Sequence, residues 1–515
     1  MSHNRFVPLI VIASLGCLFC GCARESYSRP TAQWLVVGLE GNPTNLDPRF
    51  ATDAYSSYIV SLVYSGLMRL NETGVPVGDL AEKWEQPDDV TYRFRLKKGV
   101  TFHNGQELTC EDVKYTYDLL RSPESKSPYR SDFSLIESIA CNGDYDLEIR
   151  LKKPFAPFWT DLQIGILPDG VSPDSFGDHP VGSGPFKFEE WTRGEKIVLR
   201  RFDNYHGEKA VLDGVTFRVI PNGVTRVLEL ERGGVDALQN SVPPEAIELL
   251  GKKTGISVER QPGINYNYLG FNLDHPILKD RKVREAVARA IDRDAIIKYL
   301  WRGAAQPATG LLSPRNWAYD PDVVTFPFSP DVSNRLLDEA GYPDPDGPGP
   351  KTRFNLTFKT STDRLRRRIA EVIRNQLAQV GIGVTVQSFE WGTFYRDIKN
   401  GNFELYTLAW VGVVEPDHYW AIFNSSNIPP NGTGMNRNRY RNPEIDELTR
   451  KARETANFDE RKKLYFAVQR IVAEDLPYVS LYYTDDVLVR WNYVKGWRIR
   501  PGGDFLCLPQ VRIER

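Results

Sequence analysis

The sequence predicts an α/β protein in which at least one sheet is partly parallel. The first observation is a unit between residues 354 and 389. Phe354, Leu356 and Phe358 alternate as in a half-buried strand. Asp363 to Val380 follows with Ile369, Val372, Ile373, Leu377 and Val380 on one helical stripe, closed by Gly381. Ile382 to Phe389 is again strand-like. Strand, helix and strand within about 35 residues make a βαβ unit, whose strands run parallel. The second observation is a set of clean two-residue alternations elsewhere, as at Tyr92, Phe94 and Leu96. The third is apolar content of 41% over 515 residues, enough for several large cores.

The remaining elements follow in chain order. Trp34 to Leu39 reads as a buried strand, stopped by Gly41-Asn42-Pro43. Thr91 to Val100 is a half-buried strand before an Asn104-Gly105 turn. Thr109 with Asp112 makes a capping-box start for a helix through Leu120. Asp146 to Leu151 alternates with Leu147, Ile149 and Leu151 inward. Pro180 to Trp191 opens with glycines and runs into a strand, Lys196 to Phe202 and Asp213 to Pro221 add two more, and a helix at Thr225 to Glu231 precedes a strand at Ala237. Ile264 to Leu273 is strand-like, and Asp280 caps a helix carrying Val283, Val287 and Ala290. Phe403 to Trp410 and Tyr478 to Tyr482 are strands; Pro443 to Glu454 and Asp459 to Glu474 are helices. Asp344 to Pro350 is a surface loop. Acidic pairs such as Asp485-Asp486 read as solvated turns.

The N-terminus carries an address. Arg5 precedes an apolar run, Phe6 to Phe19, and Cys20-Gly21-Cys22 leads into polar chain. A charged start, a short apolar core and a small residue before the processing point define an export signal. Gly21-Cys22 resembles the lipobox of bacterial lipoproteins, in which the cysteine is lipidated after cleavage, so residues 1–21 are expected to be removed and Cys22 acylated. The run is too short to span a ~30 Å hydrocarbon core comfortably, and no later run approaches 18 apolar residues. Beyond this segment only Cys110, Cys141 and Cys507 remain. Cys110 and Cys141 lie in one segment destined for an oxidising compartment and can pair; two small buried thiols are the alternative.

Composition and motifs exclude several chemistries. With 65 basic and 67 acidic residues the net charge is −2, which gives no electrostatic case for nucleic acid. The six histidines show no metal-ligand spacing, and there is no CxxC. There is no GxSxG elbow, and no catalytic constellation can be nominated. Gly182-x-Gly184 lacks a third glycine and precedes a strand, which disfavours phosphate binding. No cofactor is expected. Eleven Trp, 24 Tyr and 25 Phe make an aromatic-rich chain suited to a pocket for organic ligands.

Eight segments together are recognisable: NPTNLDP (Asn42–Pro48), LVYSGLMRLNETG (Leu62–Gly74), LAEKWE (Leu80–Glu85), YRFRLKKGVTFHNGQELTCEDVKYTYDLL (Tyr92–Leu120), PVGSGPFKFEEW (Pro180–Trp191), YLGFN (Tyr268–Asn272), VREAVARAIDRDAI (Val283–Ile296) and RYRNPEIDELTRKAR (Arg439–Arg453). In these the chain resembles bacterial solute-binding proteins of the peptide, nickel and opine type, relatives of the dipeptide- and oligopeptide-binding proteins of ABC importers. The resemblance implies a periplasmic-binding-protein-like fold, with two α/β lobes, a hinge and an extra α+β domain. It places domain I at 23–63, 179–266 and 491–515, domain II at 64–178 and domain III at 267–490. It implies a lipid-anchored, extracytoplasmic protein that delivers a peptide or peptide-like solute to the permease subunits and performs no covalent chemistry. A non-transport surface protein on the same fold, or an enzyme, is the competing expectation.

The implied site is uneven. The family pattern Trp-x-x-Asp-x-x-Asp-Pro, whose first acid receives a peptide's α-amino group, falls on Trp410 to Asp417. Val413 stands in the first acid's place, the loop is one residue shorter, and Glu415 replaces the second acid. Either Glu415 or Asp417 takes over the amine, or the ligand presents none there; the shortened loop favours the second. Asn436, Arg437 and Asn438 are expected to line the cleft, with Arg437 either gripping a carboxylate bidentately or serving as a surface charge. Tyr266 and Asn267 at the hinge edge are candidates for ligand contact, with structural packing as the alternative; Trp391 either stacks on ligand or packs beneath Phe389, and Trp410 keeps its pocket position for stacking.

Overall fold

The structure is a computed structural model that describes residues 29–347 and 349–515; the segment expected to be an export signal, and Cys22, lie outside the described residues. An eleven-stranded mixed sheet runs through both lobes. In the first lobe, Trp34–Leu39 pairs in parallel with Gly214–Val219 and Ala237–Gln239. Lys196–Arg201 and Phe186–Thr192 extend that side antiparallel. In the second lobe, Phe354–Ser361 lies parallel to both Ile382–Phe389 and Leu405–Trp410, as the βαβ spacing requires. The helix Arg364–Ala378 makes that crossover. Asp363 caps it through the Arg366 amide, and Gly381 follows at φ +77°.

Two long strands join the lobes. Ile256–Phe271 and Tyr478–Trp491 pair antiparallel along almost their whole length. The register of the pair shifts between Gln261 and Asn265. Gly263 sits in that gap, where an added Cβ would lie 2.2 Å from the Thr484 carbonyl oxygen, so no side chain fits. Asp486, 1% exposed, lies in the continuous strand rather than in a solvated turn. Pro262-Gly263 and the two acids look like chain breaks in sequence. In the structure they form the irregular point between lobes, and the two strands outrun the expected segments 264–273 and 478–482.

The extra domain is one contiguous segment. Ala81–Asp88, Thr91–Leu96, Asp146–Leu151 and Ile136–Cys141 make an antiparallel four-stranded sheet in that order. The helix Cys110–Arg121 covers it, begun by the Thr109/Asp112 capping box and burying Cys110, Val113, Tyr117 and Leu120. Cys110 and Cys141 form a disulfide that ties the start of this helix to the end of the Ile136–Cys141 strand, with Cα atoms 5.8 Å apart. Cys507 is buried and free, and burial pushes its thiol up to about 12, which keeps it inert to exchange.

Candidate functional site

Strand direction fixes where a ligand can sit. In the second lobe the Leu405–Trp410 strand runs toward the hinge, since Leu405 pairs with Phe271 and Trp410 with Tyr266. In the first lobe Ala237–Gln239 also runs toward the hinge, since Gln239 pairs with Leu488 and Ala237 with Arg490. The parallel neighbours of each strand share its direction. The carboxyl ends of both parallel sets therefore face the same gap between the lobes, the place where open α/β sheets bind ligands.

The second-lobe wall of that gap is aromatic. Trp410 closes its strand and stacks on Tyr268 at 6.3 Å between ring centroids. The helix Trp391–Asn400 starts just past Phe389; its Trp391 is 51% exposed and stacks on Tyr395 at 5.7 Å. Arg437 lies between the two rings, its guanidinium 4.5 Å from the Trp410 centroid and 5.0 Å from that of Tyr395. It donates to Tyr395 Oη at 3.0 Å. It is 5% exposed, and none of the ion pairs among the described residues includes it. Burial alone would pull its pKa down, but the hydroxyls of Tyr268, Tyr406, Tyr395 and Tyr478 hold it above the ordinary value.

The other expected contacts serve the scaffold. Asn436 is fully buried and donates to the carbonyls of Asn424 and Tyr440 at 3.0 and 2.8 Å, while its Oδ1 accepts the Tyr440 amide. Asn438 donates to Pro477 O and accepts from Tyr406 Oη. Asn267 donates to Asn265 O, and Tyr266 is buried with its hydroxyl on Ser480. These side chains satisfy buried backbone and leave little for a ligand. Sequence reasoning passed over Tyr395, Tyr406 and Tyr478, because a Tyr at helical or strand spacing reads as core.

The loop after Trp410 turns its acids away from the gap. Val413, 1% exposed, packs into the apolar cluster with Leu408 and Tyr419. Glu415 is buried, paired with Arg461 Nη2 at 2.5 Å, and accepts from Thr160 Oγ1 of the extra domain at 2.9 Å. Asp417 Oδ2 forms an ion pair with Arg453 Nε at 3.2 Å. The Arg453 guanidinium covers Trp420 at 3.6 Å and Phe155 of the extra domain at 4.8 Å. The amide of Ala156 donates to Arg453 O. Asp132 and Asp161 face the same junction from the extra domain. Glu415 and Asp417 thus join the second lobe to the extra domain. Burial, opposed by Arg453, pushes Asp417 up to about 7. Burial together with Asp132, Asp417 and Glu415 raises Asp161 well above the carboxylate range.

These shifts predict a pH dependence. Burial also holds Asp486 at about 7 and Asp79 at about 6, and lowers His103 and His206 to about 4. The buried acids keep protons that the unfolded chain has lost, so they make stability fall as pH rises toward 7. The buried histidines refuse protons that the unfolded chain binds, so they oppose this fall, but only below about pH 6.5. Above that only the acids act. Urea unfolding is expected to show stability falling by about 1–2 kcal/mol between about pH 6.5 and pH 8. A rise over that window contradicts the protonated junction and hinge.

Among the described residues no group of three or more His, Cys, Asp or Glu side chains converges as a metal site, and no helix is long and apolar enough to cross a membrane. Two facing α/β lobes, a two-strand hinge and an aromatic cleft define a solute-binding protein. The chain belongs to the bacterial extracellular solute-binding proteins, family 5 Middle, matched over residues 75–430. It is 32% identical over 505 residues to the oligopeptide-binding protein AppA of Bacillus subtilis, covering 94% of this chain and 92% of that one. The structure of that AppA with a nonapeptide superposes with a TM-score of 0.79 at 29% identity, covering 94% and 99%. NikZ of Campylobacter jejuni with Ni(L-His) gives 0.82 at 26%, covering 94% and 100%. The protein is a substrate-binding component of an ABC-type importer and not an enzyme.

Proposed function

We propose that the chain captures a peptide or peptide-like solute between its lobes and delivers it to the permease subunits, and that this solute presents no free α-amine at the Trp410–Asp417 loop. The observation that carries this reading is the loop itself. Val413 is packed in the lobe, and both neighbouring acids are engaged with arginines at the junction with the extra domain. A buried ammonium without a carboxylate is costly, so an unmodified N-terminus has no seat there. Trp410 and Trp391 offer stacking surfaces instead. The peptide part of the reading draws support from the relatives, among them the oligopeptide-binding protein AppA, whose structure holds a nonapeptide.

In this reading domain I comprises 23–63, 179–266 and 491–515, domain II 64–178 and domain III 267–490, with closure about the two long strands. Cys22 carries the lipid that anchors the protein, outside the cytoplasm, to a bacterial membrane. Two acyl chains at about 0.8 kcal/mol per buried CH₂ suffice for stable anchoring. Mass spectrometry of the protein purified from its own membranes tests both parts. The expected mature chain begins at an acylated Cys22, and denaturation releases a solute with amide bonds. A chain retaining Met1 sinks the anchor. A released solute without amide bonds sinks the ligand class.

A further inference from the structure

The guanidinium of Arg437 donates to the neutral Tyr395 hydroxyl and pairs with no carboxylate among the described residues. Arg437 Nε and Trp410 Nε1 are buried without a hydrogen-bond partner, and the buried hydroxyls of Tyr268 and Tyr478 interact only with one another, with Tyr406 and, for Tyr268, with Arg437 itself. They belong to one group. Tyr268 stacks on Tyr478 at 4.0 Å and on Trp410 at 6.3 Å, and Trp410 lies under the Arg437 guanidinium. Besides burial, the largest influences on Arg437 come from the neutral hydroxyls of Tyr268, Tyr406, Tyr395 and Tyr478. Arg and Trp side chains only donate, and a tyrosine hydroxyl donates as readily as it accepts. An isolated buried cation is normally paired or bound to an anion. Aromatic faces on two sides offset part of the penalty, but they leave the guanidinium edge without the coplanar oxygen pair it is shaped to bind. Trp410 ends its strand at the carboxyl side of the parallel set, and Trp391, stacked on Tyr395, is half exposed beside it.

We propose that this nest seats a carboxylate of the transported solute, so that the ligand is an acid held at Arg437 by a bidentate pair, with hydroxyl and indole donors completing its coordination. The inference rests on the cleft-binding reading above and narrows it. The solute class is an acid whose amino end is blocked or absent, such as an N-acylated peptide with a free carboxyl terminus. The missing acid at Val413 and the unpaired cation at Arg437 then describe one ligand from its two ends. A closed cleft that recognises charge at only one end discriminates by that end, because a neutral isostere leaves the buried cation unpaired.

The test compares N-acetylated di- to pentapeptides as free acids and as carboxyl-terminal amides, by calorimetry and by thermal stabilisation of the whole protein. The acids are expected to bind at least about 100-fold more tightly than their amides, the usual size of losing a buried charge pair. In Arg437→Met the acid-over-amide preference should vanish, with the ligand-free melting temperature unchanged or higher, because an uncompensated cation has been removed. In Arg437→Lys the charge remains but the fork is lost, and acid binding should weaken while the preference persists. Equal binding of acids and amides by the unaltered protein overturns the carboxylate seat and leaves the peptide reading standing. Failure of both sets to bind at millimolar concentration overturns both. A preference that survives Arg437→Met, or a ligand-free protein strongly destabilised by it, assigns Arg437 to the scaffold and also overturns the proposal. Should that variant not fold, the acid–amide comparison on the unaltered protein and the lysine variant still decide.

Discussion

Arg461→Met is expected to destabilise the protein by about 3–5 kcal/mol, the range for breaking one side of a buried ion pair. Arg461 is the partner of Glu415 at 2.5 Å, and also donates to Ala452 O and Tyr465 Oη while covering Trp317 and Tyr465. Burial disfavours its charge, yet Glu415 and Asp417 hold its proton more tightly than usual. Without it, Glu415 at 8% exposure faces Asp417, Asp161 and Asp132 with only Arg453 to balance them. The double variant Glu415→Met/Arg461→Met should recover most of the loss, since both charges are then gone. Urea unfolding curves read both effects. A single variant within about 1 kcal/mol of the parent would mean that Glu415 reaches water, contrary to the junction described.

Loss of the disulfide is the second large effect. Cys110 and Cys141 close a loop with a sequence separation of 31, and closing a loop of that length stabilises by about 3–4 kcal/mol in the chain-entropy account. The bridge lies wholly within the extra domain, between the capped start of one helix and the last residue of one strand. Cys110→Ser/Cys141→Ser should therefore lower the unfolding temperature of that domain first, and exposed aromatic surface around Tyr117 and Phe133 should follow. Reductant should reproduce the effect in the unaltered protein and leave the double variant unmoved. Equal unfolding temperatures with and without reductant would show that the bridge does not bear on stability.

Local structure was legible in the sequence wherever periodicity and caps agree. The helix from Arg364 and the strand from Ile382 follow directly from apolar spacing, the Asp363 cap and Gly381. The hinge was not legible. Pro262-Gly263 and Asp485-Asp486 carry every local sign of a chain break, and only pairing between two distant strands makes them continuous. At the site, residue type alone could not separate Arg437 from its neighbours Asn436 and Asn438. All three are buried, but the two amides bond backbone carbonyls while the guanidinium lacks an anion. Glu415 and Asp417 sit where an amine clamp would be sought, and their partners Arg461 and Arg453 lie on other elements. That tertiary pairing removes them from the cleft.

Isothermal calorimetry with unmodified di- to pentapeptides and their N-acetylated counterparts tests the central claim most directly. Peptides of both kinds share backbone, side chains and carboxyl terminus, so their difference reports only the amino end. The account predicts that N-acetylation preserves or improves binding, because Val413 offers an ammonium no partner and Glu415 and Asp417 are held by arginines. Micromolar binding of the free peptides that disappears on N-acetylation would contradict it, and would place an acid against the peptide amine after all.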